Sequence, residues 1–429
     1  MKLKLIAILT LTTLIFSIGA VTVLNVSGVD LVTYYGWTRR EKISDQDFTF
    51  AFVGDIQTLT YHNDYKKGTN YVDTLFTWIA DNAEDRKIEH VFTLGDLTDR
   101  SAVHDPTLSY GASNPAANDA TYDAEYEIVK SAITKLDGIV PYSIVRGNHD
   151  GYHIDRFFNY DAYTKNFDGF YREPEGVYKD SIVNSYRLAE IQGIKFIFIT
   201  LDFNPSREAV AWVDELLSTY SDHNAIITMH SFLTFRGNEL DIANILDIQD
   251  SIVKGKYRGA APDWLWKNCL KKHKNVVMTV SGHVGADTPQ YLTTLGDNGN
   301  KVLNILVDPQ FYDLNIGPTG AILLMHFYDG GKTIQTEYFS TTCNAYKKDG
   351  DNAFELELMI SDAPATDAEA TTVATTTTAA TTAATTAATT VSNKTSDTGG
   401  CRSSVSLIPI ALVPMLTVLG VVAVKKKEE

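Results

Sequence analysis

The chain has 429 residues, 44% hydrophobic, 21% charged and 11% aromatic, a globular composition long enough for one large domain with appendages or for two domains. Its formal charge of −16 argues against a nucleic-acid surface, while a small phosphate ester stays open because bound cations invert the local field. The three cysteines, Cys269, Cys343 and Cys401, include no C-x-x-C pair, which argues against a disulfide framework or zinc–thiolate site and leaves one Cys269–Cys343 bridge open.

In chain order, Lys2 and Lys4 precede an apolar stretch from Leu5 to Leu24, so residues 1–24 read as a signal peptide or an uncleaved N-terminal anchor. A body over residues 46–345 then alternates strand and helix. Residues 48–53 form a β-rich apolar run closed by Gly54-Asp55, and residues 71–83 carry helical spacing in Val72, Leu75, Phe76 and Ile79. A second run over 90–94 ends in Gly95-Asp96. A helical stretch over 122–136 precedes a strand over 140–145 that ends in Gly147-Asn148-His149-Asp150. Residues 195–201 read as a strand and 207–219 as a helix. Strands over 225–229 and 276–280 end at His230 and at Gly282-His283. Residues 302–307 and 321–339 read as antiparallel strands with a turn at Asp329-Gly330-Gly331. Residues 363–400 form a Thr/Ala-rich stalk that cannot bury a core, with an N-glycosylation triplet at Asn393-Lys394-Thr395. Residues 405–424 are apolar over about the ~20 residues a bilayer requires. They read as a transmembrane or sorting segment, and the lysine-rich residues 425–429 as a cytoplasmic tail. The layout is that of an anchored extracellular ectodomain attached to a membrane through its C-terminal segment.

Alternating strands and helices imply an α/β sheet protein, in which ligands bind beyond the carboxyl ends of the strands. One apolar run closed by Gly-Asp is an ordinary turn. Five runs ending in Asp55, Asp96, Asn148, His230 and His283 are a metal-ligand set, of a carboxylate, carboxamide and imidazole mixture that suits Mn²⁺, Fe²⁺ or Zn²⁺. Two such ions ionise a water and clamp a phosphate ester, and a carboxylate at a central strand end, here Asp96, is placed to bridge them.

The series Gly54-Asp55-Ile56-Gln57, Gly95-Asp96-Leu97-Thr98-Asp99-Arg100, Gly147-Asn148-His149-Asp150, His230 and Gly282-His283 resembles the calcineurin-like metallophosphoesterases over roughly residues 48–340. The resemblance implies a four-layer α/β/β/α sandwich and a di-metal centre that hydrolyses phosphate monoesters or diesters of small molecules. It makes Asp55 a ligand of the first metal, Asp96 the bridge, and Asn148, His230 and His283 ligands of the second. It makes His149 the acid that protonates the leaving oxygen, oriented by the acidic residue beside it. Two positions depart from the family pattern D-x-H … G-H-x-H: Gln57 and Gly285 stand where histidines of the first site belong. Gln57 can still offer a carbonyl oxygen, and Asp287 is a candidate replacement carboxylate; such an oxygen-rich site favours Mn²⁺ or Mg²⁺ over Zn²⁺. The thinned first site also admits a second expectation, a non-catalytic surface binding or adhesion protein holding a single metal. Arg100 and Arg146 could meet phosphate, the Tyr152 to Tyr171 segment a substrate, and Asp308-Pro309-Gln310-Phe311-Tyr312 could line the cleft.

Overall fold

The computed structural model describes residues 36–62, 70–98, 119–150, 174–179, 181–248, 259–310 and 319–359. The signal or anchor (1–24), the stalk (363–400), the apolar segment (405–424) and the tail (425–429) lie outside these residues, as do Arg100 and the Tyr152 to Tyr171 segment. Among the described residues, no helix is long and apolar enough to cross a membrane.

Strands β1 (Trp37–Thr38) and β2 (Phe48–Val53) come first, and helices α1 (Gln57–His62) and α2 (Tyr71–Asn82) lead to β3 (Ile88–Thr93). Helix α3 (Asp119–Ile133) precedes β4 (Tyr142–Ile144), followed by β5 (Gly176–Tyr178), β6 (Ser181–Ile191) and β7 (Ile194–Leu201). Helix α4 (Arg207–Thr219) leads to β8 (Asn224–Met229) and a hairpin of β9 (Leu233–Arg236) and β10 (Glu239–Ile242). Helices α5 (Ile245–Ile248) and α6 (Pro262–Asn268) precede β11 (Val276–Ser281), β12 (Gln290–Leu295) and β13 (Lys301–Leu306). Strands β14 (Ala321–Tyr328), β15 (Thr333–Ser340), β16 (Ala345–Lys347) and β17 (Asn352–Glu355) complete the set.

One sheet has the order β1-β16-β15-β14-β2-β3-β4, with β17 on β15; the other runs β12-β13-β11-β8-β7-β6-β5. Within the first, β2, β3 and β4 are parallel, and within the second β7, β8, β11 and β13 are parallel. Antiparallel strands are added around these parallel blocks. The first sheet also takes in strands on both sides of the 46–345 span, since β1 pairs β16 and β17 pairs β15.

The pleat explains why β2 is apolar on both faces. Ala51 and Val53 pack with α2 and α3, whereas Phe48, Phe50 and Phe52 face Phe196 and Phe198 of the other sheet. The α2 stripe of Val72, Leu75, Phe76 and Ile79 is buried as its spacing requires, and Asn70 caps the helix by accepting the Asp73 N–H at 2.9 Å. Helix α4 repeats the arrangement on the far sheet: Ser206 caps it, and Val210, Val213 and Leu217 pack on Ile197, Ile199 and Ile227. The apolar interfaces therefore succeed one another as helix on sheet, sheet on sheet, and sheet on helix, in the mixed α/β class expected from the alternation.

The inter-sheet layer is aromatic. The Phe50 ring lies 5.7 Å from Phe92 and 5.0 Å from Phe327 in its own sheet, and 5.5 Å from both Phe196 and Phe198 across the gap. Removing that ring forfeits its transfer energy and leaves a cavity between stiff sheets. Phe50→Ala is expected to cost about 3–5 kcal/mol in denaturant unfolding.

Candidate metal centre

The parallel strands of both sheets point their carboxyl ends to one edge, where Asp55, Asp96, Asn148, His149, His230 and His283 follow β2, β3, β4, β8 and β11. All are buried, none more than 7% exposed. Three occupy left-handed backbone that non-glycine residues avoid: Asp55 (φ 32°), Asp96 (φ 49°) and His283 (φ 72°). Such strain persists only where surrounding contacts hold it, and it clusters at functional positions. The glycines beside the ligands have a steric reason. A Cβ on Gly147 would lie 2.2 Å from Asp96 Oδ1, and one on Gly282 would lie 1.9 Å from Asp55 Oδ2.

Ligands are braced by the backbone of other ligand loops. The His283 N–H donates to both Asp55 oxygens at 3.1 and 3.2 Å, and the His149 N–H donates to Asp96 Oδ1 at 2.7 Å. Asp150 accepts the N–H groups of Leu97 and Thr98 on one oxygen and of Gly147 on the other, which ties the second and third motifs together. The carboxylate found near the His149 ring is Asp96, with Oδ2 3.8 Å from Nε2.

The imidazoles show what the centre needs. His230 Nδ1 lies 2.8 Å from the Leu94 carbonyl, which only accepts, so Nδ1 carries a proton and Nε2 is the nitrogen turned to the centre. Around Nε2 stand Asn148 Oδ1 at 2.8 Å, His283 Nδ1 at 3.2 Å and Asp96 Oδ1 at 3.3 Å; Asn148 Oδ1 is also 2.8 Å from His283 Nδ1. One shared proton relieves one of these acceptor contacts, whereas a cation relieves them all. A histidine that spends its far nitrogen on a backbone carbonyl is the usual support of a metal ligand. Asp96, His230 and His283 offer ligand atoms within 4.8 Å of one another, so the donor set fits a divalent metal.

Charge burial points the same way. Burial and the neighbouring Asp308 and Asp96 carboxylates push Asp55 well above the usual carboxylate range. Burial raises Asp308 to about 7, and burial with Asp96 raises Asp150. Burial opposes ionisation of Asp96 as well, but His230 and His149 prevail and hold it low. Burial pulls His230 down while Asp96 more than restores it, and burial with His230 drops His283 to about 3. Gln57 joins from the first turn of α1: its Nε2 donates to Asp96 Oδ2 at 3.2 Å and to Gln310 Oε1 at 3.0 Å, and its Oε1 is buried without a hydrogen-bond partner.

Several sequence expectations change. Asp287 does not replace the missing ligand: it is exposed, and its electrostatic neighbours are Lys347 and Asp349. The carboxylate present at the centre is Asp308, from the segment expected to line the cleft. Arg146 is fully buried on Asp202, with Nε 2.7 Å from Oδ1, so its role is structural. Cys269 and Cys343 are not joined. A second cluster of Asp214, Cys269 and His273 lies among the helices on the far sheet, where His273 Nε2 pairs with Asp214 at 2.8 Å.

The raised carboxyl groups set a pH dependence for metal-stripped protein. Between pH 6.5 and 8 the unfolded carboxyls are already ionised, while folded Asp308, held up at about 7, still gives up its proton. Folded protein binds more protons than unfolded in this window, so stability falls as pH rises. The depressed His283 and His90 pull the other way around and below pH 6.5, where the unfolded imidazoles take up protons, and fade towards pH 8. Thermal melts in chelator are expected to show a lower Tm at pH 8 than at pH 6.5, and excess Mn²⁺ is expected to reverse the slope because its ligands must be deprotonated.

The sequence matches the family model described as calcineurin-like phosphoesterase over residues 48–287, more than half the chain. A Bacillus subtilis (strain 168) protein, the uncharacterised YvnB, is 24% identical over 306 residues, 68% of this chain. This chain spans only 20% of that protein's length. Among solved structures, the purple acid phosphatase PPD1 from yellow lupin (Lupinus luteus) seeds is similar over 72% of this chain and 53% of its own, with 13% identity and a TM-score of 0.45. A dimetal phosphatase from Danio rerio is similar over 72% of this chain and 99% of its own, with 14% identity and a TM-score of 0.41. With every strand-end ligand inside the matched span, this chain belongs to the calcineurin-like phosphoesterase family.

Proposed function

We propose that this protein hydrolyses phosphate monoesters or diesters of small molecules outside the cell, using two divalent metal ions held at the strand-end cluster. The observation that carries the reading is the convergence of Asn148 Oδ1, His283 Nδ1 and Asp96 Oδ1 on His230 Nε2. Asp96, Asn148, His230 and His283 would hold the second ion, and Asp55, Gln57 and Asp96 would contribute to the first. Bound there, the ions lower the pKa of a water to about 7 and neutralise the phosphoryl charge.

The remaining work falls to the chain. The Leu94 carbonyl fixes the His230 tautomer, and Asp150 clamps the loops carrying Asp96 and Asn148. His149 holds a proton for the leaving oxygen, with its Nε2 3.8 Å from Asp96 Oδ2. The apolar segments 1–24 and 405–424 support an extracellular, membrane-anchored setting. A second reading, a single-metal binding or adhesion protein, is favoured by one feature: Gln57 and Gly285 leave the first site without imidazole.

Purified protein with Mn²⁺ is expected to cleave a chromogenic phosphoester, and Asp96→Asn to abolish turnover. Activity indifferent to chelator and to that substitution would exclude the metal mechanism. His149→Ala is expected to lower kcat by roughly 10²–10⁴-fold while leaving metal content unchanged. Tightly held metal with no turnover on a broad phosphoester panel selects the binding protein instead.

A further inference from the structure

The family pattern leaves the first metal short of a histidine at Gly285, and the structure shows what stands there. The Ala286 N–H donates to the Asp308 carbonyl at 2.9 Å, which pins the chain beside Gly285 to the end of β13. On the other side, a Cβ on Gly54 would lie 3.5 Å from Asp308 Cα, which places Asp308 against the loop that carries Asp55. Asp308, 1% exposed, is thus held by its backbone between the turn at Gly285 and the Asp55 loop, and its carboxyl group acts on that of Asp55.

Asp308 is also held in one orientation. The Gln310 N–H donates to its Oδ1 at 2.9 Å, and Gln310 Nε2 donates to its Oδ2. Gln310 Oε1 in turn accepts from Gln57 Nε2, which also reaches Asp96. Asp308, Gln310, Gln57 and Asp96 therefore form a continuous amide–carboxylate belt around the first site. Gln57 Oε1 is left over, a buried acceptor with no donor, on an amide whose nitrogen is held by Asp96 and Gln310. Among the described residues the charge partner that the buried Asp55, Asp96 and Asp308 carboxyl groups share is His230, whose Nδ1 lies 4.0 Å from Asp55 Oδ1 but is turned to the Leu94 carbonyl, so a cation is what the cluster calls for.

Resting on the metal reading above, we propose that Asp308 is the ligand that replaces the missing histidine, completing an all-oxygen first site with Asp55, Asp96 and Gln57 Oε1, and that Gln310 positions it. The two sites then differ in chemistry. The first takes a hard divalent cation, Mn²⁺ or Mg²⁺, whereas the second, with two imidazoles, accepts Zn²⁺ or Fe²⁺ as well.

Equilibrium dialysis of the purified full chain against Mn²⁺ alone, with bound metal measured by mass spectrometry, tests this without recourse to turnover. Wild-type protein is expected to bind two equivalents. Asp308→Asn should keep one and lose affinity for the other by more than the ~10–100-fold that an outer-shell partner costs. His283→Ala should weaken the remaining equivalent instead. Asp308→His restores an imidazole and should shift the first site from Mn²⁺ towards Zn²⁺ in a competition experiment. Melts in chelator provide a folding control, in which Asp308→Asn should be at least as stable as wild type because a repelled carboxylate is gone. Two unchanged equivalents in Asp308→Asn, a single equivalent in wild type, or no change of preference in Asp308→His overturns the assignment of Asp308 while leaving the metal centre in place. Wild-type protein that takes up no divalent cation overturns the metal centre itself.

Discussion

Burying charge is the constraint on which the rest of this structure depends. Asp55, Asp96, Asp150 and Asp308 are shut away from water at one edge of two sheets, in a medium that disfavours each ionised carboxylate and more so a cluster of them. The fold answers by turning backbone N–H groups onto them from neighbouring motifs: His283 for Asp55, His149 for Asp96, and Leu97 and Thr98 for Asp150, which also accepts from Gly147 of its own loop. No ligand loop is therefore shaped alone. Left-handed backbone at Asp55, Asp96 and His283 is held by the same cross-bracing, and the glycines at 147 and 282 are required by the carboxylates they face.

Much of this was legible beforehand, for reasons that can be traced to particular residues. Strand β2 and helix α4 occupy the spans expected because an uninterrupted apolar run and a 3.6-residue stripe survive burial unchanged. The strand-end residues stood out because each interrupts an apolar run with a polar group that a turn does not need, and parallel pairing sends such ends to one edge. Strand β6 carries no such signature. Its eleven residues mix half-exposed and buried positions, with Arg187 and Glu190 inside the run, so neither a period of two nor an apolar block emerges.

The misplaced side chains share a different cause. Asp287 is near Gly285 in sequence, but the chain turns its Ala286 N–H to the Asp308 carbonyl and leaves Asp287 outside. Arg146 adjoins the Gly-Asn-His-Asp motif yet is committed to Asp202, a partner that no spacing rule connects to it. Asp308 carries the opposite lesson. Its segment was noticed only as a cleft wall, because a carboxylate that compensates for a ligand lost elsewhere acquires meaning only when the two strand ends are seen side by side.

The hydrogen bond from His230 to the Leu94 carbonyl reaches from the end of β8 in one sheet to the end of β3 in the other. A ligand nitrogen is thereby aimed by the opposite sheet, so alignment of the sheets and readiness of the centre are a single variable. A small shear between the layers would swing the imidazole away before any apolar contact was lost. The phenylalanine layer beneath the site is thus part of its calibration, and sequence drift there can retune the centre without touching a residue that meets substrate.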